Sequence, residues 1–173
     1  HLKTCSFALS ALHQQPTERD MKTTVTAAEI AHYRDRGYVI IEEFLPADEL
    51  AAFTAAISQT VRQLGNRKMV GDGNERFRYD KEGQVDYTFL QRINLWKSNE
   101  SIAAVLSAPE LGEMLCELAG VDGFRIWHDH TLQKLPWANP TSWHLDGPNW
   151  SFHSRHVLSI WIALDDATVQ NGC

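Results

Sequence analysis

Residues 143–173 read Trp143-His144-Leu145-Asp146, then GPNWSFHSRHVLSI, then Trp161-Ile162-Ala163-Leu164-Asp165-Asp166-Ala167-Thr168 and, after Val169-Gln170, Asn171-Gly172-Cys173. Short apolar runs bounded by turn residues predict strands over Trp143 to Asp146 and over Val157 to Leu164. In a strand, residues two apart share a face, so His144 and Asp146 bring an imidazole nitrogen and a carboxylate oxygen to one point. Such a pair, with coordination positions left open, suits Fe(II) oxygenase chemistry. The pattern is short, however, and the chain carries eight histidines; a structural His–Asp hydrogen bond satisfies it equally well. Asn171-Gly172 is a hairpin signal, and only Cys173 follows it. A turn needs a strand to turn into, so the expectation is a chain truncated before its last strands.

Upstream, Phe124 to Leu135 alternates and predicts another strand. It carries His128-Asp129-His130, whose two imidazoles would also share a face. Cupin metal sites begin in this way but go on to a glutamate, and Thr131-Leu132-Gln133-Lys134 offers none. Packing or supporting roles are therefore expected for His128 and His130. His153 and His156 fall in a polar loop and are expected to face solvent or substrate. Asp165 and Asp166 read as turn residues at a strand end. The loop from Pro136 to Trp150, with Trp137, Trp143 and Trp150, reads either as an apolar substrate wall or as aromatic core packing.

The first half predicts helices. Thr26 and Glu29 form a capping-box pattern, T-x-x-E, before a helix from about Ala27 to Arg36 that stops at Gly37. Tyr38-Val39-Ile40-Ile41 reads as a strand. Pro46 opens a long helix with Asp48 and Glu49 in its first turn. Leu50, Phe53, Ile57, Val61 and Leu64 form its apolar stripe, and Gly65 ends it. Residues 66–86, around Gly71-Asp72-Gly73-Asn74, read as a loop over a substrate. No helix opening on Lys-Ser or Lys-Thr follows, which excludes a P-loop. Tyr87 to Trp96 reads as extended. Ser101 to Leu106 and Pro109 to Leu118 read as helices, the second ended by Gly120. Helices first and strands later give an α+β class with the site on the sheet.

Length and composition bound the rest. The chain has 173 residues, 43% hydrophobic and 22% charged, with a formal net charge of −6. One domain with a core fits that length. The acidic balance disfavours nucleic acid, which needs a basic face, and no apolar run is long enough for a membrane span. Cys5, Cys116 and Cys173 make neither a disulfide framework nor a zinc pattern, and point to a reducing, cytoplasmic setting. Residues 1–20 begin at His1; SFALSAL at 6–12 has no basic start before it. They are expected to be an extension outside the native fold, with residues 21–173 forming the N-terminal part of a single domain whose C-terminal strands are missing.

Taken together, W-H-x-D at 143–146 and W-x-A-L-D-D-A-T-x-x-N-G-C at 161–173 resemble the phytanoyl-CoA dioxygenase family. So do the G-Y-V-I run at 37–40 and the F-L-P turn at 44–46. The resemblance spans roughly Ala27 to Cys173. It implies an Fe(II)- and 2-oxoglutarate-dependent dioxygenase on a double-stranded β-helix (jelly-roll, cupin-like) with N-terminal helices. It implies that the enzyme uses O2 and hydroxylates a C–H bond of a small organic substrate. By resemblance, His144 and Asp146 are the first two iron ligands, and Trp161, Leu132 and Arg92 lie beside 2-oxoglutarate. An intact Asp146 favours hydroxylation over halogenation. The family's second histidine ligand and its 2-oxoglutarate arginine are expected beyond Cys173. The alternative is a non-catalytic fragment that keeps the oxygenase scaffold.

Overall fold

Thr26 opens the first element, and it does so through the expected capping box. The computed structural model describes residues 20–65, 90–133 and 143–171. The Glu29 backbone N–H donates to Thr26 Oγ1 at 3.2 Å, and Glu29 Oε2 accepts from the Thr26 N–H at 2.7 Å. Two end groups of α1 (Ala27–Arg36) are thereby satisfied. The helix ends at Gly37, whose φ of +80° is open to glycine at no steric cost, and the Gly37 N–H donates to the Tyr33 carbonyl at 2.7 Å.

α2 (Ala47–Leu64) starts after Pro46 and ends before Gly65, with Asp48 and Glu49 in its first turn. Its buried face is Phe53, Ala56, Ile57, Thr60 and Leu64, a helical stripe. That stripe packs with Leu95, with Ile102 and Val105 of α3 (Glu100–Leu106), and with Leu111 and Met114 of α4 (Pro109–Ala119). Thr60 is the one polar residue buried among the described residues. Its hydroxyl donates to the Ala56 carbonyl at 2.8 Å and accepts from Asn99 Nδ2 at 2.9 Å. Asn99 Oδ1 in turn accepts from the Ser101 and Ile102 N–H groups and caps α3. One side chain thus starts α3 and fixes it to α2. Arg34 of α1 does similar work at the other end, donating to the Leu118 and Glu117 carbonyls at the end of α4. A cation there also suits the negative end of the helix dipole.

The sheet is small. β1 (Leu90–Ile93) pairs antiparallel with β2 (His130–Gln133), with Leu90 opposite Gln133, Gln91 opposite Leu132, Arg92 opposite Thr131 and Ile93 opposite His130. The ladder is locked at one end by Asp129. The Asn94 N–H donates to the Asp129 carbonyl at 2.8 Å, and the Asp129 carboxylate accepts from the Leu95 and Trp96 N–H groups, both at 3.1 Å. Asn94 takes φ +63°, a left-handed position that asparagine tolerates, and so turns the chain into a 3₁₀ turn at Leu95–Lys97.

The helices lie where the sequence places them, and among the described residues four α-helices with a two-stranded antiparallel sheet give the α+β class. The strands differ from expectation. Tyr38 to Ile41, Phe124 to Asp129, Trp143 to Asp146 and Val157 to Leu164 form no ladder among the described residues. β propensity records a fit to a pleated surface, and without a partner strand to receive the N–H and C=O groups it makes no sheet. Tyr38 and Ile40 are exposed, with Tyr38 edge-on to the His32 ring at 5.1 Å. Val157 to Leu164 nevertheless keeps a strand-like alternation at its end: Ile162 and Leu164 pack on the core while Trp161 faces outward. Asn171 closes a 3₁₀ turn, Val169–Asn171. The expected loop at 66–86, the N-terminal extension at 1–19, Trp137 and Gly172 lie outside the described residues. No helix of the described residues is long and apolar enough to cross a membrane.

Candidate metal and cosubstrate site

The locked ladder decides which side chains meet. Alternation puts Asp129 on one face, toward the 3₁₀ turn, and therefore puts His128 and His130 together on the other. Their rings lie 5.5 Å apart. Leu132 continues that face, 46% exposed, and Gln91 joins it from β1, its Nε2 3.3 Å from His130 Nδ1. Burial and the neighbouring His130 hold the His128 imidazole below its ordinary pKa, with Asp129 and Asp146 acting in the opposite sense. Asp129 is pushed up by burial, against the pull of the Leu95 and Trp96 N–H groups.

His144 and Asp146 lie close together, though not on a strand: Asp146 takes helical dihedrals and opens the 3₁₀ turn that follows. His144 Nε2 lies 3.4 Å from Asp146 Oδ1, and both side chains are about half exposed. That separation is longer than the ~2.7–2.9 Å of a charge-assisted N–H···O bond. The pair sets one nitrogen and one oxygen donor side by side. Among the described residues no group of three His, Cys, Asp or Glu side chains converges on a metal position.

The other expected site residues separate. Trp161 is 67% exposed, on the side opposite Ile162 and Leu164. Arg92 pairs with Thr131 and so sits on the face away from His130 and Leu132. Its Nη2 donates to the Gly65 carbonyl at the end of α2, and its Nη1 donates to the Gln91 carbonyl at 3.0 Å. Arg92 Nε is buried with no hydrogen-bond partner among the described residues. His153 and His156 are exposed, and the Asp166 N–H donates to Asp165 Oδ1 at 2.9 Å, as a turn pair does.

Sequence reasoning did not find three contributors. Asp129 was legible in principle, because the middle residue of H-x-H must face opposite to its neighbours. Gln91 and Phe152 were not, since their partners are distant in sequence. Phe152 meets Trp127 edge-on at 5.0 Å and stacks with Trp150 at 5.6 Å.

The phytanoyl-CoA dioxygenase (PhyH) family profile matches residues 33–173. A probable alpha-ketoglutarate-dependent hypophosphite dioxygenase of Stutzerimonas stutzeri is 26% identical over 144 residues, 81% of this chain and 48% of that protein. The chain thus spans about half the length of that relative. No solved structure matches.

Proposed function

Because the chain belongs to the phytanoyl-CoA dioxygenase family, a family of oxygenases, we propose that it carries part of the iron site of a 2-oxoglutarate-dependent dioxygenase. The observation that carries this reading is the paired, half-exposed His144 and Asp146 at 3.4 Å. In this reading the two side chains are two of three protein ligands to Fe(II). With 2-oxoglutarate also present, the metal supplies O2 activation coupled to oxidative decarboxylation, directed at a C–H bond of a small organic substrate.

The chain's own residues hold and shield. Asp146 contributes a negative charge and His144 a neutral nitrogen, so the pair binds a divalent cation while leaving positions for cosubstrate. Leu132 and Trp161 are the apolar neighbours of 2-oxoglutarate in this reading, and their exposure leaves them open to contact it. Arg92 is left out of this reading: it lies on the opposite face of the ladder from Leu132, with Nη1 and Nη2 held by backbone carbonyls and Nε buried. The complete fold is a double-stranded β-helix, with β1, β2 and the extended segments at 143–146 and 157–164 as strands. The family's cupin-like fold supports that part of the reading.

The second reading is a scaffold that has lost catalysis. Fe(II)-dependent formation of succinate from 2-oxoglutarate by the whole protein separates the two. Turnover that is lost in Asp146→Ala supports the oxygenase; no turnover from a folded, iron-supplied protein supports the scaffold.

A further inference from the structure

Alternation along residues 128–130 puts two imidazoles on one side of the chain, and the middle residue holds them there. The Asp129 carbonyl accepts from the Asn94 N–H at 2.8 Å, and its carboxylate accepts from the Leu95 and Trp96 N–H groups. With Asp129 engaged on that side, His128 and His130 face the other way, their ring centres 5.5 Å apart and their planes at 59°. Gln91, across the ladder, shares their face, because its partner Leu132 lies two residues from His130. Its amide nitrogen is 3.3 Å from His130 Nδ1. Two imidazoles and an amide thus meet where the chain enters β2.

The ring separation selects among metals. A zinc–imidazole bond of about 2.0–2.1 Å sets the ion roughly 3.2 Å from each ring centre, so a tetrahedral angle puts the two centres about 5.2 Å apart. The right angle of a tetragonal Cu(II) or Ni(II) site would put them about 4.5 Å apart, well short of the separation observed. The Gln91 amide completes the arrangement. Turned about its last side-chain bond, it places Oε1 beside His130 Nδ1, accepts the Nδ1–H and leaves Nε2 with a lone pair for the ion. Among the described residues no group of three His, Cys, Asp or Glu converges, so water fills the remaining positions.

We propose that His128 and His130 form a two-histidine Zn(II) site, with Gln91 orienting the His130 ring. The ion adds a tie at the end of the ladder that Asp129 already closes. The inference does not rest on the oxygenase reading. That reading uses His144 and Asp146, one nitrogen and one oxygen donor, whereas this pair offers two nitrogens. Gln91 is a positioning residue and does not touch the ion.

The test is titration of Zn(II) alone into the whole chain carrying Asp146→Ala, which removes the carboxylate of the other candidate site. Calorimetry gives affinity and stoichiometry, and zinc X-ray absorption gives the ligand shell. One ion should bind with a Kd on the order of 10 µM, far more weakly than a four-ligand site. Its shell should contain two imidazole nitrogens, the rest oxygen. Adding His128→Ala or His130→Ala should weaken binding at least tenfold. Gln91→Leu should weaken it several-fold, whereas Gln91→Glu, which keeps an acceptor for the Nδ1–H, should retain it. Far-UV circular dichroism checks the fold of each variant. His130 is exposed, so His130→Ala leaves the helical core untouched and decides the question where the half-buried His128 disturbs packing. Zinc binding that is absent, that is unchanged in His130→Ala, or whose shell lacks two imidazoles overturns the site. Equal binding in Gln91→Leu and Gln91→Glu overturns the role given to Gln91.

Discussion

Replacing Asp129 by alanine tests how the imidazole face is built. The carboxylate accepts from the Leu95 and Trp96 N–H groups at 3.1 Å each, and Leu95 is fully buried. A buried donor stripped of its acceptor costs about 1–3 kcal/mol, with the half-buried Trp96 group at the low end. Alanine also removes the cost of keeping a carboxylate out of water, the same burial that raises the Asp129 pKa. The net loss is therefore about 2 kcal/mol. With a urea slope of about 2 kcal/mol/M for a small protein, the unfolding midpoint should fall by roughly 1 M at unchanged slope. The same variant should broaden the His128 and His130 resonances, because the end of the β1–β2 ladder is released. A midpoint shift under about 0.25 M would refute the view that this carboxylate fixes the site's scaffold.

Other outcomes follow from the same contacts. Thr26→Ala should cost about 1 kcal/mol through loss of the α1 cap, seen as faster amide exchange in the first turn. Hydrogen bonds from the Thr26 backbone and side chain hold the Glu29 carboxyl below its ordinary value of 4.5. Its contribution is thus present above that value and lost as pH falls through the lowered one, so Glu29→Gln should flatten the acid limb of the stability curve. Asp129 has the opposite sign: raised above 3.8, it contributes fully below that value and loses the contribution as pH rises through the raised one. Wild-type stability relative to Asp129→Asn should therefore decline from acid to neutral pH in urea titrations. Gly120→Ala should lose about 1–2 kcal/mol in thermal unfolding, since φ is +68° and a Cβ would stand 3.3 Å from Arg34 Nη2. Thr60→Val should cost about 1–2 kcal/mol, because Asn99 Nδ2 then loses its nearer acceptor.

The helical half was legible because its signals are local. The capping box at Thr26, the stripe from Phe53 to Leu64 and the stops at Gly37, Gly65 and Gly120 each lie within a few residues. The sheet was less legible because a strand is defined by its partner. Val157 to Leu164 has the right composition and no ladder, whereas Leu90–Ile93 gains one from His130–Gln133 some forty residues away. The H-x-D residues were picked out by their spacing, but their approach comes from the turn at Asp146 and not from a strand. The opposed placement of Arg92 and Leu132 was not, because it depends on the register that Asp129 sets.

In the proposed site His144 and Asp146, and not His128 and His130, hold the Fe(II). Anaerobic titration of Fe(II) into the wild type and into His144→Ala, Asp146→Ala and His128→Ala measures this directly. Binding should be weakened at least tenfold in each of the first two variants, about 1.4 kcal/mol or more, and little changed in His128→Ala. Binding that survives His144→Ala and Asp146→Ala but is lost in His128→Ala would contradict this assignment.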